Sequence, residues 1–173
     1  MVASQESLTR RRCLKSHTPM DGIAYGAEPT YIVVYRHPAD AHFSFRSHVE
    51  NMKDNSELIG MYPSDLSAGF RRFLGDPLTD AGTDDLTVSS IVHHYTQAKM
   101  RQPNGNVHFF HYADLSRDLH GQITRLAGIL DISLSTQTIS DVTDANTFAS
   151  MRKVAETSET RFDEKSPFRD QAG

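Results

Sequence analysis

A single cysteine, no tryptophan, no excess of positive charge and no long apolar run set the first limits on this 173-residue chain. Cys13 has no partner for an internal disulfide, and no Cys/His spacing resembles a zinc site, which argues against a disulfide framework or a structural metal. The nine histidines are scattered rather than clustered. A formal charge of −4 argues against general nucleic-acid binding, although Arg10, Arg11 and Arg12 form a local basic patch of the kind that is usually solvated. No apolar stretch approaches the roughly 20 residues of a membrane helix. The start of the chain lacks the apolar core of a secretion signal. The expectation is a cytoplasmic protein with no membrane span. Its length suits one domain, 1–173, with a core over about 11–155, and the charged tail 157–173 is expected to be flexible.

What the sequence does contain centres on TYIVVYRHPADAHFSFRSHVENM, residues 30–52. Tyr31 to Tyr35 are apolar, largely β-branched or aromatic, and run into Arg36, as a buried parallel strand does at its carboxyl end. His37 and Pro38 break the strand, and Pro38 suits a first helical position. Ala41, Phe45, Val49 and Met52 then recur at spacings of four, four and three, one face of a helix. Ligands of open α/β sheets sit beyond the carboxyl ends of strands, where a helix start offers free N–H groups to an anion. Arg36 adds a planar cationic fork suited to phosphate. Read alone, Arg36 serves equally well as a strand-end partner of Asp40, and Ser44 as a solvated helix serine.

The pattern R-x-P-x-D-x-x-x-S after an apolar strand, here Arg36, Pro38, Asp40 and Ser44, resembles the 3′-phosphate-binding segment of the cytosolic-type sulfotransferases. These enzymes use 3′-phosphoadenosine-5′-phosphosulfate (PAPS). The resemblance implies that Arg36 and Ser44 hold the nucleotide's 3′-phosphate. Upstream, Lys15-Ser16-His17-Thr18-Pro19 resembles the family's Lys-Thr-His-x-Pro segment, with Ser for Thr, and His17 precedes Arg36 by 19 positions. Cys13 to Ser16 reads as a short strand that would project His17 from the same sheet edge as Arg36. The family implies His17 as the general base that takes the acceptor's proton, which suits a group titrating near neutrality. Lys15 would offset negative charge on the transferred sulfonate. Met20, Ile23 and Tyr25 follow in a connector that either borders the acceptor or simply packs.

Further along, Asp65 is placed to cap a short helix facing Leu66, Phe70, Phe73 and Leu74 inward. Residues 75–85 read as a surface loop, and a helix is expected from about Thr83 to Gln102. Its adjacent histidines, His93 and His94, point apart and make a poor metal pair, so they read as helix surface or pocket lining. Pro103-Asn104-Gly105 is a turn before a strand from Val107 to Tyr112. The continuation resembles the family's aromatic strand, its Tyr-Glu-Asp-Leu segment with Ala113 for Glu, and its long helix. Tyr112 would then lie near the purine. Asn146-Thr147-Phe148-Ala149-Ser150-Met151 resembles the family's Thr-Ser-Phe-x-x-Met segment, which implies that these residues, Asn146, Thr147, Phe148 and Met151 above all, embrace adenine. Without the resemblance, Phe148 and Met151 read as core.

The resemblance covers Arg11 to Val154 but matches the later part of a family domain. Nothing before His17 supplies the Pro-Lys-Ser-Gly-Thr-Thr kind of loop that holds the 5′-phosphosulfate. Phe168 to Gly173 only faintly echoes the terminal Arg-Lys-Gly-x-x-Gly segment, so Arg169 is not assigned as a ligand. The expected fold is α/β: a P-loop-like parallel sheet of about three strands flanked by helices and truncated, its first strand and phosphate loop missing. Its uncovered sheet edge would favour self-association. The expected function is transfer of a sulfuryl group from PAPS to a hydroxyl or amine of a small-molecule acceptor of the phenol, sterol, alcohol or glycolipid class. The alternative is a catalytically inactive, truncated sulfotransferase-like binding protein. A kinase-like reading fails for want of G-x-x-x-x-G-K-[ST].

Overall fold

The computed structural model describes residues 11–52, 63–79 and 86–157. Two strands pair in parallel within it, β1 (Tyr31–Tyr35) and β2 (Val107–His111), with Tyr31 opposite Val107 and Tyr35 opposite His111. A parallel pair needs a long crossover. Here it contains three helices among the described residues: α1 (Pro38–Glu50), α2 (Leu66–Gly75) and α3 (Val88–Arg101). A 3-10 turn over Gln102–Asn104 ends at Gly105, whose φ of 84° is a left-handed conformation that glycine adopts freely. After β2 come α4 (Tyr112–Arg117), α5 (Leu119–Ile129), α6 (Thr136–Ala145) and α7 (Phe148–Thr157).

Side chains alternate across the sheet, which divides it into two faces. Tyr31 and Val33 of β1 and Phe109 of β2 pack with Ile23 and Tyr25 against the buried cluster of Met20, Ala98 and Val107. Tyr35 continues that face, stacking on Phe109 and meeting Tyr95 of α3 edge-on. Phe110 is buried on the other face, where the Arg125 guanidinium of α5 lies over its ring. Asn106 fastens the connector to the start of the sheet. Its amide donates to the carbonyls of Gly26 (3.0 Å) and Pro29 (2.9 Å), while its own carbonyl accepts from Tyr31 N–H (2.8 Å).

The helices begin where side chains satisfy their free N–H groups. Asp65 accepts from Ala68 N–H at 2.7 Å, and Thr87 and Ser90 form a reciprocal capping box at the start of α3. Between α1 and α2, His42 is fully buried among Phe43, Phe70 and Phe73. Burial pushes the His42 pKa below its ordinary value, with Arg46 acting in the same direction.

Two expectations change. Cys13 to Ser16 is not a strand, so the described sheet has two strands rather than about three. The segment is exposed, and Ser16 Oγ accepts from Thr18 N–H (2.9 Å), a local turn that competes with extended pairing ahead of Pro19. The long helix after Tyr112 is two helices, because Asp118 leaves helical geometry and turns its carboxylate to Gly121 N–H (2.9 Å). The stretch before Asn146 contains α6, capped by Ser135. The basic residue Arg10, most of the loop before Asp65, the start of the expected helix at Thr83 and nearly all of the tail, Arg169 included, lie outside the described residues.

Candidate functional site

The site is built at the carboxyl end of the two strands. Because Tyr35 and His111 are opposed in the ladder, the residues that follow them, Arg36 and Tyr112, leave the sheet next to one another. The Arg36 guanidinium carbon stands 4.5 Å from the centre of the Tyr112 ring, a cation–π arrangement. Arg36 Nε is buried and has no hydrogen-bond partner among the described residues. No ion pair joins Arg36 to Asp40 among those residues, so the simpler reading of the arginine is not the one the geometry adopts. A buried, unsatisfied donor on a permanent cation is costly, and an anionic oxygen is the natural way to satisfy it.

An opening of about 370 Å3 adjoins this arginine, lined by Arg36, Ala41, Ser44, Phe45, His48 and Leu86. It brings together the two residues expected to hold a phosphate, Arg36 and Ser44. The turn at His37 and Pro38 folds α1 back so that Ser44, two turns along, shares a wall with the strand-end arginine. His48 lies one turn beyond Ser44 on the same helix face, and sequence reading missed it. The i, i+4 spacing from Ser44 was the available signal.

Tyr35 and Arg36 divide the end of β1 between two neighbourhoods, since adjacent strand residues point to opposite faces. Tyr35 turns toward α3, where its hydroxyl is 2.7 Å from His94 Nδ1 and 3.1 Å from the His94 carbonyl oxygen. Burial raises the Tyr35 pKa well above its ordinary value, with Tyr95 adding to the effect, so the phenol keeps its proton. Burial likewise lowers the His94 pKa; His93 and His17 push the same way, while Asp21 and a backbone hydrogen bond oppose them. His93 Nε2 meets Asp21 Oδ2 at 3.0 Å, tying α3 to the loop four residues beyond His17. His17 and Lys15 are exposed on the segment without regular structure.

None of the four residues expected to embrace adenine lines this opening. Asn146 closes α6, with its amide donating to the Val142 carbonyl (2.7 Å). Thr147 Oγ1 accepts from Ser150 N–H (3.2 Å) at the start of α7. Phe148 and Met151 are exposed at 79% and 58%, and neither lines the opening at Arg36. Their reading as core does not hold. Val154 continues the same apolar face of α7 and is also exposed.

Among the described residues no cluster of three or more His, Cys, Asp or Glu side chains is arranged to hold a metal, and no helix is long and apolar enough to cross a membrane. A family model for the sulfotransferase domain matches residues 2–172. The chain belongs to the sulfotransferase domain family. A glycolipid sulfotransferase from Mycobacterium bovis (strain BCG / Pasteur 1173P2) is 27% identical over 183 aligned positions, which cover 90% of this chain and 55% of that protein. A glycolipid sulfotransferase from Mycobacterium tuberculosis (strain ATCC 25177 / H37Ra) is 26% identical with the same coverage. This sulfotransferase-family chain thus spans about half the length of the curated relatives it matches. Its fold is similar to that of mouse sulfotransferase SULT7A1 complexed with PAP, with a TM-score of 0.71 and 16% identity over 90% of this chain and 52% of that one.

Proposed function

We propose that this chain carries the 3′-phosphate-binding and acceptor-activating part of a PAPS-dependent sulfotransferase. The observation that carries the reading is the buried, unpartnered Nε of Arg36, on a side chain whose guanidinium carbon lies over the Tyr112 ring and which lines the same opening as Ser44. That donor set fits a phosphate, because the guanidinium offers a planar fork, Ser44 a hydroxyl and the start of α1 its N–H groups. Arg36 and Ser44 would hold the 3′-phosphate, with Tyr112 fixing the plane of the guanidinium and bordering the purine. Asn146, Thr147, Phe148 and Met151 would supply the adenine side. The exposed Phe148 ring and Met151 thioether of α7 present apolar area that a purine would cover.

PAPS supplies the activated sulfuryl group. The chain's own residues prepare the acceptor: His17 takes the proton from the acceptor hydroxyl as its oxygen becomes a nucleophile, and Lys15 sets a positive charge beside the sulfonate oxygens. Exposure of both side chains leaves them open to a solvent-borne acceptor. The mycobacterial relatives are named for glycolipid substrates, and a glycolipid hydroxyl is therefore the acceptor class we favour within small-molecule acceptors. We place the protein in the cytoplasm.

The test is transfer of labelled sulfate from PAPS to a panel of glycolipids, phenols and sterols, with His17→Ala as control. Turnover by the parent chain that His17→Ala abolishes supports the reading. Turnover that His17→Ala leaves intact removes His17 from its role, and binding of the nucleotide with no transfer to any acceptor favours the inactive binding protein.

A further inference from the structure

We propose that His48 is a third ligand of the anion held at Arg36 and Ser44, and that its imidazole takes up a proton as the phosphate enters. The inference rests on the 3′-phosphate reading of this opening and adds to it a residue and a pH dependence.

Four residues of α1 line the opening: Ala41, Ser44, Phe45 and His48. Their spacing of three, one and three places them on one stripe of the helix, roughly 100° wide. Ser44 and His48, at i and i+4, have Cβ atoms about 5–6 Å apart, close enough for both side chains to reach oxygens of one phosphate group. His48 is exposed, and its ring centre lies 6.4 Å from that of Phe45 on the same stripe. Arg36 joins them from the end of β1, and Leu86 brings the start of α3, whose first turn has no acidic side chain.

No carboxylate lines the opening among the described residues. Asp40 is exposed outside the lining, and Glu50, two positions past His48, is paired with Arg46 at 2.8 Å. Of the other histidines nearby, His37 is exposed at the start of α1 and outside the lining, and His42 is buried among aromatic rings. The polar lining is therefore a guanidinium, a hydroxyl and an imidazole, three donors with no competing negative charge.

A phosphomonoester has its second pKa at about 6 and carries nearly two negative charges above neutrality. Arg36 supplies one positive charge and Ser44 none. Histidine is the side chain that can acquire the second near neutral pH. The doubly charged phosphate favours imidazolium at His48 and the single charge of Arg36 opposes it, so the anion decides the outcome. The proton comes from solvent and returns there on release. Binding that takes up a proton weakens as pH rises.

Calorimetry with 3′,5′-adenosine bisphosphate at pH 7.0 and 8.5 tests this, because the phosphate is largely dianionic at both values. The parent chain should bind roughly fivefold or more weakly at pH 8.5, the size expected when an imidazole near neutrality loses its proton. His48→Gln, with helical circular dichroism retained, should reduce that ratio to below about twofold, and His37→Gln should keep it. A ratio that His48→Gln leaves intact, or that His37→Gln abolishes, would overturn the proposal. A second measurement needs no variant: in two-bond 1H–15N spectra at pH 7.5, saturating bisphosphate should move His48 to the doubly protonated pattern. A neutral His48 pattern in the saturated complex would contradict the proposal. A parent chain that prefers the bisphosphate to 5′-AMP without protonating His48 keeps the nucleotide reading and loses this one. Absence of that preference removes both.

Discussion

Arg36 and Tyr112 leave adjacent parallel strands at the same level, and the guanidinium of one rests 4.5 Å from the ring centre of the other. The pairing register alone produces this neighbourhood, joining residues 76 positions apart in the chain. Holding the cation by its face leaves its N–H edge free for an anion, whereas a carboxylate partner would have occupied that edge.

Replacing Tyr112 tests the stack. Tyr112→Phe keeps an aromatic face and should bind 3′,5′-adenosine bisphosphate within about twofold of the parent. Tyr112→Leu should weaken binding roughly two- to fivefold, the size of a cation–π contact at a partly exposed ring. Isothermal titration of both variants makes the comparison, and equal affinities for the two would place the ring outside the nucleotide site.

His17→Ala should cut sulfate transfer by roughly 100-fold or more, the usual contribution of a positioned general base. Affinity for the bisphosphate should stay within about twofold, since the 3′-phosphate is assigned to Arg36 and Ser44 rather than to His17. Parallel transfer assays and calorimetry read the two quantities, and a matched fall in both would mean that the substitution disturbs the fold or the nucleotide.

His42 gives the protein an acid sensitivity. Its pKa is lowered in the folded state, so the unfolded chain takes up a proton more readily. The stabilising preference for neutral His42 is complete above its ordinary pKa near 6.5 and fades as pH falls through that value toward the folded pKa. His94 is shifted in the same direction. Thermal melts at pH 7.5 and 5.5 should show a loss in acid that His42→Leu reduces. An unchanged loss would assign the acid sensitivity elsewhere.

Thr87→Ala removes the side chain that caps α3 and receives Ser90 N–H at 3.1 Å. The expected cost is about 1 kcal/mol in urea unfolding. Because α3 carries His93 and His94, amide exchange near its first turn should quicken as well. Unaltered unfolding would show that tertiary contacts, rather than the cap, hold the helix start.

Much of the fold was legible in local chemistry. The apolar run Tyr31–Tyr35 ending at Arg36, the break at His37-Pro38 and the helix through Ser44 are all short-range patterns, and the structure has them as a strand, a turn and α1. Asp65 and Thr147 cap helices as their side chains allow. Pairing register was not legible, because a ladder is set by contacts between distant segments. That is why Tyr112 could be placed near the nucleotide by resemblance but not beneath Arg36 by pattern. Tyr35 and His94 were hidden for the same reason: one read as strand, the other as helix surface or pocket lining, and their hydrogen bond exists only once β1 packs on α3. Ser16 misled because its neighbours suit a strand while its hydroxyl makes a turn. The threonine- and serine-rich α6 shows a weak helical pattern and is recognisable mainly by its Ser135 cap.

Binding of 3′,5′-adenosine bisphosphate against 5′-AMP, measured by calorimetry for the parent chain and Arg36→Ala, tests the central claim most directly. The two ligands differ in the 3′-phosphate, the group assigned to Arg36 and Ser44. The account predicts that the parent prefers the bisphosphate and that Arg36→Ala loses roughly 10- to 100-fold of that affinity, the worth of hydrogen bonds to a charged group, with 5′-AMP binding little changed. Equal affinity of the parent for both ligands, or a bisphosphate affinity that Arg36→Ala leaves intact, would contradict it.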